Sequence, residues 1–203
     1  MKLFTRTGSC SLASNISLRE AGIPFQLVKV SRHDGKTSEG VPFTDINSKG
    51  YVPALLLDSG ELLTENAALL PYIADLNPAA KLAPPVGTLE RFRLTEWLAY
   101  INSEVHKAYS PLFYPNAHES LKEYARGNLT KRLGWLAENL GSKPFLMGEQ
   151  FTVADAYLFV VLSWAPHVHF DLTRWPNLTA FQQRVGARPH VVEALESEGL
   201  HKK

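Results

Sequence analysis

The chain has 203 residues, 45% of them hydrophobic and 20% charged. Those proportions match globular proteins and exclude a disordered, collagen-like or disulfide-stapled chain. Lysine and arginine number 21 against 20 acidic residues, so no basic excess marks a nucleic-acid or membrane-surface binder.

The length suits one large domain or two small ones. The start, Met1 to Arg6, lacks the apolar stretch of a signal peptide. Leu3-Phe4 predicts a short strand running toward Gly8. Residues 11 to 21 read as a helix, stopped by Gly22 with Pro24 beyond. Phe25, Leu27 and Val30, with Gln26 and Lys29 between them, predict a second strand. Residues 32 to 50 are polar, with Gly35, Gly40 and Gly50, and read as loop with room for one short helix. Ala54 to Leu57 and Leu62-Leu63 flank Asp58-Ser59-Gly60 as a hairpin. Thr64 is the expected cap of a helix reaching about Asn77, and Pro71 inside it predicts a kink or a later start. The order β-α-β-loop-β-β-α implies an α/β domain, a mixed sheet covered by helices, over residues 1–80.

Pro84, Pro85 and Gly87 mark residues 81–88 as a linker. Residues 89–203 read as all-α. In 89 to 108, Leu94, Trp97, Leu98, Ile101, Val105 and Ala108 recur at helical spacing. A second helix spans 119 to 140, with Leu121, Ala125, Leu129, Leu136 and Leu140 inward. Thr152-Val153-Ala154-Asp155 resembles a capping box opening a helix apolar all round. Its run from Ala156 to Leu162 is too short for a membrane span, which needs about 20 apolar residues. Pro176 and Pro189 each sit where a first-turn proline starts a helix. The expectation is a soluble, cytoplasmic protein.

Chemistry concentrates at a few positions. Cys10, the single cysteine, lies in Gly8-Ser9-Cys10-Ser11 between strand and helix. It permits no intrachain disulfide and fits a reducing compartment or a reactive role. Unpaired N–H groups and the dipole at a helix start favour thiolate and predict a pKa below about 8.5. The competing reading is a small buried hydrophobe. No second cysteine stands at Cys-x-x-Cys spacing. Val52-Pro53 precedes a strand. A cis bond there would leave the backbone of Val52 free to pair with an extended peptide, whereas trans is the default. Thr64-Glu65-Asn66 opens a helix whose N–H groups can hold a carboxylate while Glu65 takes an ammonium, or it is a plain cap. Ala99, Ser103 and His106, flanked by Glu104 and Lys107, lie away from the apolar stripe and read as a site or a solvated face. His167 and His169 lack a third ligand and make a weak metal signal, so no metal is expected.

Six segments in register along nearly the whole chain resemble the cytosolic glutathione transferases, specifically the bacterial beta class. They are residues 8–12 (Gly-Ser-Cys-Ser-Leu), 50–55 (Gly-Tyr-Val-Pro-Ala-Leu), 63–65 (Leu-Thr-Glu), 103–107 (Ser-Glu-Val-His-Lys), 109–113 (Tyr-Ser-Pro-Leu-Phe) and 151–158 (Phe-Thr-Val-Ala-Asp-Ala-Tyr-Leu). The resemblance implies a thioredoxin-like N-terminal domain, an all-helical C-terminal domain and a homodimer. It implies glutathione as co-substrate and a small hydrophobic electrophile as partner. Val52 beside a cis Pro53 would pair with the cysteinyl backbone of glutathione. Glu65 and Asn66 would hold the γ-glutamyl end, with Ser103 and Glu104 reaching it from the partner subunit. Cys10 and His106 would lie near the sulfur, with Lys107 close by. Ser11, Tyr51 and Lys36 join the implied glutathione site, and Tyr109, Phe113 and Trp164 the electrophile site.

The chain departs from the family pattern at four places. Thr7 replaces a frequent proline, Asn66 a small residue, Ala99 a common asparagine and Gly35 a frequent lysine. These leave Lys36 to hold the glycyl end and Asn102 to supply the polar group that Ala99 lacks. Three activities fit: conjugation of glutathione, with Cys10 able to form a mixed disulfide; thiol transfer or reductive dehalogenation through Cys10; and non-catalytic binding on the same scaffold.

Overall fold

The computed structural model describes residues 1–200. A four-stranded sheet has the order β2-β1-β3-β4. β1 (Lys2–Thr5) runs parallel to β2 (Gln26–Lys29) and antiparallel to β3 (Ala54–Leu56). β3 forms the expected hairpin with β4 (Leu62–Thr64). Side chains alternate across the pleat. Leu3 pairs with Leu55 on the main core face. Phe4 pairs with Ala54 on the other face, in a small second core with Val28, Val30 and Phe43. Phe43 comes from a 3-10 turn, Phe43–Asp45, in the otherwise irregular 32–50 segment.

α1 (Ser11–Glu20) buries its first eight residues, polar ones included, which explains its broad stripe. Gly22 follows at φ +66°, a left-handed conformation that glycine adopts without steric cost. α2 (Asn66–Leu76) differs from the sequence reading in two ways. Thr64 does not cap it but ends β4, and Glu65 occupies the cap position at φ +69° with no side-chain cap bond. The helix also runs unbroken through Pro71. Leu69, Leu70 and Ile73 are fully buried, so packing overrides the bond that proline cannot donate.

The Thr88 hydroxyl accepts from the Arg91 N–H at 3.2 Å and caps α3 (Leu89–Tyr100). The helix expected over 89–108 is one rod with a change of pitch. Ile101–His106 forms a π-helical stretch, followed by α4 (Lys107–Tyr109) and a 3-10 turn, Ser110–Phe113. α5 (Glu119–Leu140) matches its expected span, but Leu121 is exposed rather than inward. α6 (Val153–Leu162) is buried at every residue, and its capping box of Thr152 and Asp155 is complete. Asp155 accepts from the N–H groups of Leu146 and Thr152, each at 2.8 Å, and burial pushes its carboxyl up to about 6. α7 (Pro176–Gly186) and α8 (Pro189–Glu198) both open on proline.

α1 packs against α2 and also against α6 and α8 of the helical half. One core cluster therefore runs from the sheet into the helices. The β1–α1 turn with Cys10 sits at that junction. No described helix is long and apolar enough to cross a membrane.

Candidate active site at the Cys10 turn

The turn is held from behind. Glu198, at the end of α8 and only 3% exposed, accepts from the Gly8 N–H at 2.9 Å, the Thr5 hydroxyl at 3.0 Å and the Asn15 amide at 3.2 Å. The Trp164 indole N–H donates to the Gly8 carbonyl at 2.9 Å. Gly8 itself takes φ +69°, which a side chain would strain. Ser11 belongs to this buried scaffold. Its hydroxyl meets Thr5 Oγ1 at 2.6 Å and Ser9 Oγ at 2.7 Å, and it lines no described cavity.

Cys10 is half-buried at the start of α1, and its thiol donates to the Val52 carbonyl at 3.4 Å. Val52-Pro53 is cis, one of the two conformations the sequence allows. Burial pushes the Cys10 thiol up to about 12, against the smaller lowering by a backbone N–H and by Lys107. This reverses the low pKa expected from the helix start. The helix-end effect is worth at most about 2 kcal/mol, and here desolvation outweighs it.

A cavity of about 360 Å³ opens beside the thiol. Cys10, Tyr51, Val52, Pro53, Glu65 and Asn66 line it from the sheet half, and His106 and Lys107 from the helical half. Tyr51 is 70% exposed at its rim. Glu65 is held by Lys49, whose ammonium donates to Glu65 Oε1 at 2.7 Å and to Thr64 Oγ1 at 2.8 Å. The Asn66 amide is already engaged, donating to the Cys10 carbonyl at 2.8 Å and accepting from Ser14 at 2.9 Å. Lys36 is not part of this cavity; it lines a separate shallow groove on the sheet half. The cations that do face the cavity are Arg6, Arg32 and Lys107.

A second cavity, about 510 Å³, shares Cys10, His106 and Arg32 with the first. Phe113 and Trp164 form its aromatic wall, edge to face at 5.7 Å. Tyr109 does not reach it. That ring is fully buried behind Trp164, 5.7 Å away, and burial holds its phenol well above the usual range. His167 lines the second cavity, but the described residues contain no cluster of three metal-ligating side chains.

His106 and Ser103 do not share a face as the α-helical spacing implies. The π-helical stretch places Asn102 and His106 toward the first cavity. Ser103 and Glu104 line a different, open hollow with Arg132, to which Glu104 is ion-paired at 2.6 Å. The Tyr157 hydroxyl lies 2.7 Å from His106 Nδ1 and donates to Asn102 Oδ1 at 3.0 Å. Burial, reinforced by Lys107, pushes the imidazole down to about 4, so it is neutral near pH 7. Sequence reasoning misses Tyr157, Glu198, Lys49, Arg6 and Arg32. Tyr157 sits inside the 151–158 segment, and Arg6 adjoins the cysteine turn. Glu198 and Lys49 carry no local signal.

A mixed four-stranded sheet with a cis-proline facing the cysteine-bearing start of α1 is a thioredoxin-like unit, here joined to an all-helical half. The glutathione S-transferase N-terminal domain model matches residues 7–76, and the C-terminal domain model matches residues 96–189. The chain is 46% identical to glutathione S-transferase GstA of Escherichia coli O157:H7, covering 98% of this chain and all of that one. A bacterial beta class glutathione S-transferase of Sphingomonas chungbukensis superposes at TM-score 0.95 with 49% identity, over 99% of this chain and 100% of the other. A sphingomonad glutathione S-transferase complexed with glutathione does so at TM-score 0.95 with 46% identity, over 99% and 100%. The chain belongs to the glutathione S-transferase family and, within it, to the bacterial beta class.

Proposed function

We propose that this transferase conjugates reduced glutathione to small hydrophobic electrophiles. The observation that carries the reading is the pair of cavities meeting at Cys10 and His106, one lined by backbone and charge, the other by aromatic rings. In the first, the cis Val52-Pro53 edge would pair with the peptide backbone of glutathione. Glu65 would take its ammonium, and the N-terminus of α2 would take the α-carboxylate. Its sulfur would lie near Cys10 and His106. The electrophile would lie against Phe113 and Trp164. Lys36 faces neither cavity, so the glycyl carboxylate falls to Arg32 or Arg6.

Cys10 acts here as a hydrogen-bond donor rather than a nucleophile. A thiol with a pKa near 12 stays protonated at neutral pH and can donate to a glutathione thiolate. A mixed disulfide with glutathione remains open to it by exchange with oxidised glutathione, releasing one reduced molecule. This favours conjugation over thiol transfer through Cys10.

We place the protein in a homodimer. The exposed aromatic group of Trp97, Tyr100 and Trp135 on α3 and α5 adjoins the hollow that Ser103 and Glu104 line. A partner seated there would bring the second copy's Ser103 and Glu104 toward glutathione. Calorimetric titration with reduced glutathione, then conjugation to an activated aryl halide, tests the reading. One site per subunit and turnover retained in part by Cys10→Ala are expected. No binding at millimolar glutathione would return the chain to a non-catalytic scaffold.

A further inference from the structure

We propose that Asn102 and Tyr157 are positioning residues that fix the tautomer of His106, keeping its proton on Nδ1 and the lone pair of Nε2 turned to the thiol cavity.

The argument is one of proton order. Asn102 Oδ1 can only accept, so at 3.0 Å it takes the single proton of the Tyr157 hydroxyl. The phenol oxygen is then left with lone pairs. His106 Nδ1 lies 2.7 Å from it, so Nδ1 must be the donor. A neutral imidazole carries one proton, which leaves Nε2 bare. Neutrality is secured separately, since burial holds His106 far below its usual pKa. Among the described residues His106 has no other hydrogen-bond partner.

Each part of the relay is rigid. Tyr157 is fully buried in α6, the most enclosed helix of the molecule. Asn102 and His106 both fall within the π-helical stretch, which brings them to one phenol oxygen. Such stretches within α-helices often occur at functional sites. The logic matches the orienting member of a catalytic triad, which acts by holding an imidazole in the productive tautomer.

The inference rests on the conjugation reading for its chemical step. The S–H bond of glutathione breaks, its electron pair stays on sulfur, and the proton forms a bond to Nε2. The resulting imidazolium donates through Nδ1 to Tyr157 and through Nε2 to the thiolate. The opposite tautomer would present an N–H and could not accept that proton.

The tautomer is measured without glutathione, so failure of the relay and failure of the conjugation reading are separable. Full-length protein labelled with 15N on histidine is examined by NMR at pH 7, with His106 assigned by its loss in His106→Gln. The expected signature is protonated Nδ1 and unprotonated Nε2. Tyr157→Phe and Asn102→Ala should both shift the signal toward protonated Nε2. In Asn102→Ala the freed hydroxyl can donate to Nδ1. Each should lower kcat for conjugation about 10-fold with the KM for glutathione within about twofold, a modest share of what a general base supplies. Two independent variants guard against misfolding, and the wild-type spectrum needs none. A wild-type signal with protonated Nε2 would overturn the proposal. So would folded variants that keep the wild-type tautomer, or that change it at unaltered kcat.

Discussion

Cys10 should be a slow thiol, and the size of the effect follows from its surroundings. Burial sets its pKa near 12. A free cysteine, near 8.5, is about one-quarter thiolate at pH 8. Cys10 would be about one part in ten thousand thiolate, a deficit of about 3.4 decades at the same pH. A more basic thiolate is also a better nucleophile. With a Brønsted slope of about 0.4–0.5, the gap of about 3.5 units returns about 1.4–1.8 decades. The net expectation is exchange with a small aromatic disulfide about 40- to 100-fold slower than an unfolded reference. The chain contains one cysteine, so the same protein in denaturant is that reference. The folded rate should also keep rising through about pH 10 with no plateau, since the thiolate fraction still grows there. A rate equal to the unfolded one, or a plateau near neutrality, would refute the dominance of desolvation and restore the thiolate expected from the helix start.

Other predictions follow from contacts already described. Glu198→Ala strands the N–H of Gly8 and the Asn15 amide and weakens the bonding of Thr5, so urea unfolding should show a loss of about 3–5 kcal/mol; an unchanged midpoint would show that the tie to the cysteine turn is idle. Lys36→Ala should leave the Kd for glutathione within about twofold, because Lys36 faces another groove, whereas Arg32→Ala should weaken it at least about fivefold, the loss of one charged hydrogen bond. Asp155 has a pKa raised to about 6, so between about pH 4 and 6 the native state holds a proton that the unfolded chain has released. Its contribution to stability therefore falls by roughly 3 kcal/mol as pH rises through that window and is level above it, a slope that Asp155→Ala should abolish.

The legible parts of the molecule are those encoded locally. The hairpin around Gly60, the Thr152–Asp155 box and the first-turn prolines of α7 and α8 are short-range signals, and the structure carries each of them. The thioredoxin-like and helical halves are likewise readable from six separated segments. Pro71 misleads because propensity cannot weigh the burial of Leu69, Leu70 and Ile73. His106 falls on the wrong face in a regular α-helical period, which carries no notice of a π-helical stretch. Cys10 is legible in place and not in pKa, since desolvation depends on how two halves close and the helix dipole does not. Glu198 is invisible because its partners lie more than 180 residues away.

The cavity disfavours charge on both of its reacting partners, and that has a measurable consequence for the proton of glutathione. A thiol near 8.5 and an imidazole near 4 are separated by about 4.5 units, so transfer to His106 starts about 6 kcal/mol uphill. A thiolate and an imidazolium about 4 Å apart attract by about 4 kcal/mol at an effective dielectric near 20. The start of α1 adds about 0.3–2 kcal/mol for the anion. The balance comes to within about 2 kcal/mol of zero, so the proton need not leave the site for the thiolate to be reachable. Glutathione binding near neutral pH should then release close to no protons. Titration calorimetry in two buffers of different ionisation enthalpy reads that number directly. Equal binding enthalpies would place the proton within the pair of sulfur and Nε2. Release of about one proton per site would show that the thiolate is made by expelling the proton to water, and His106 would then be a bystander to its formation.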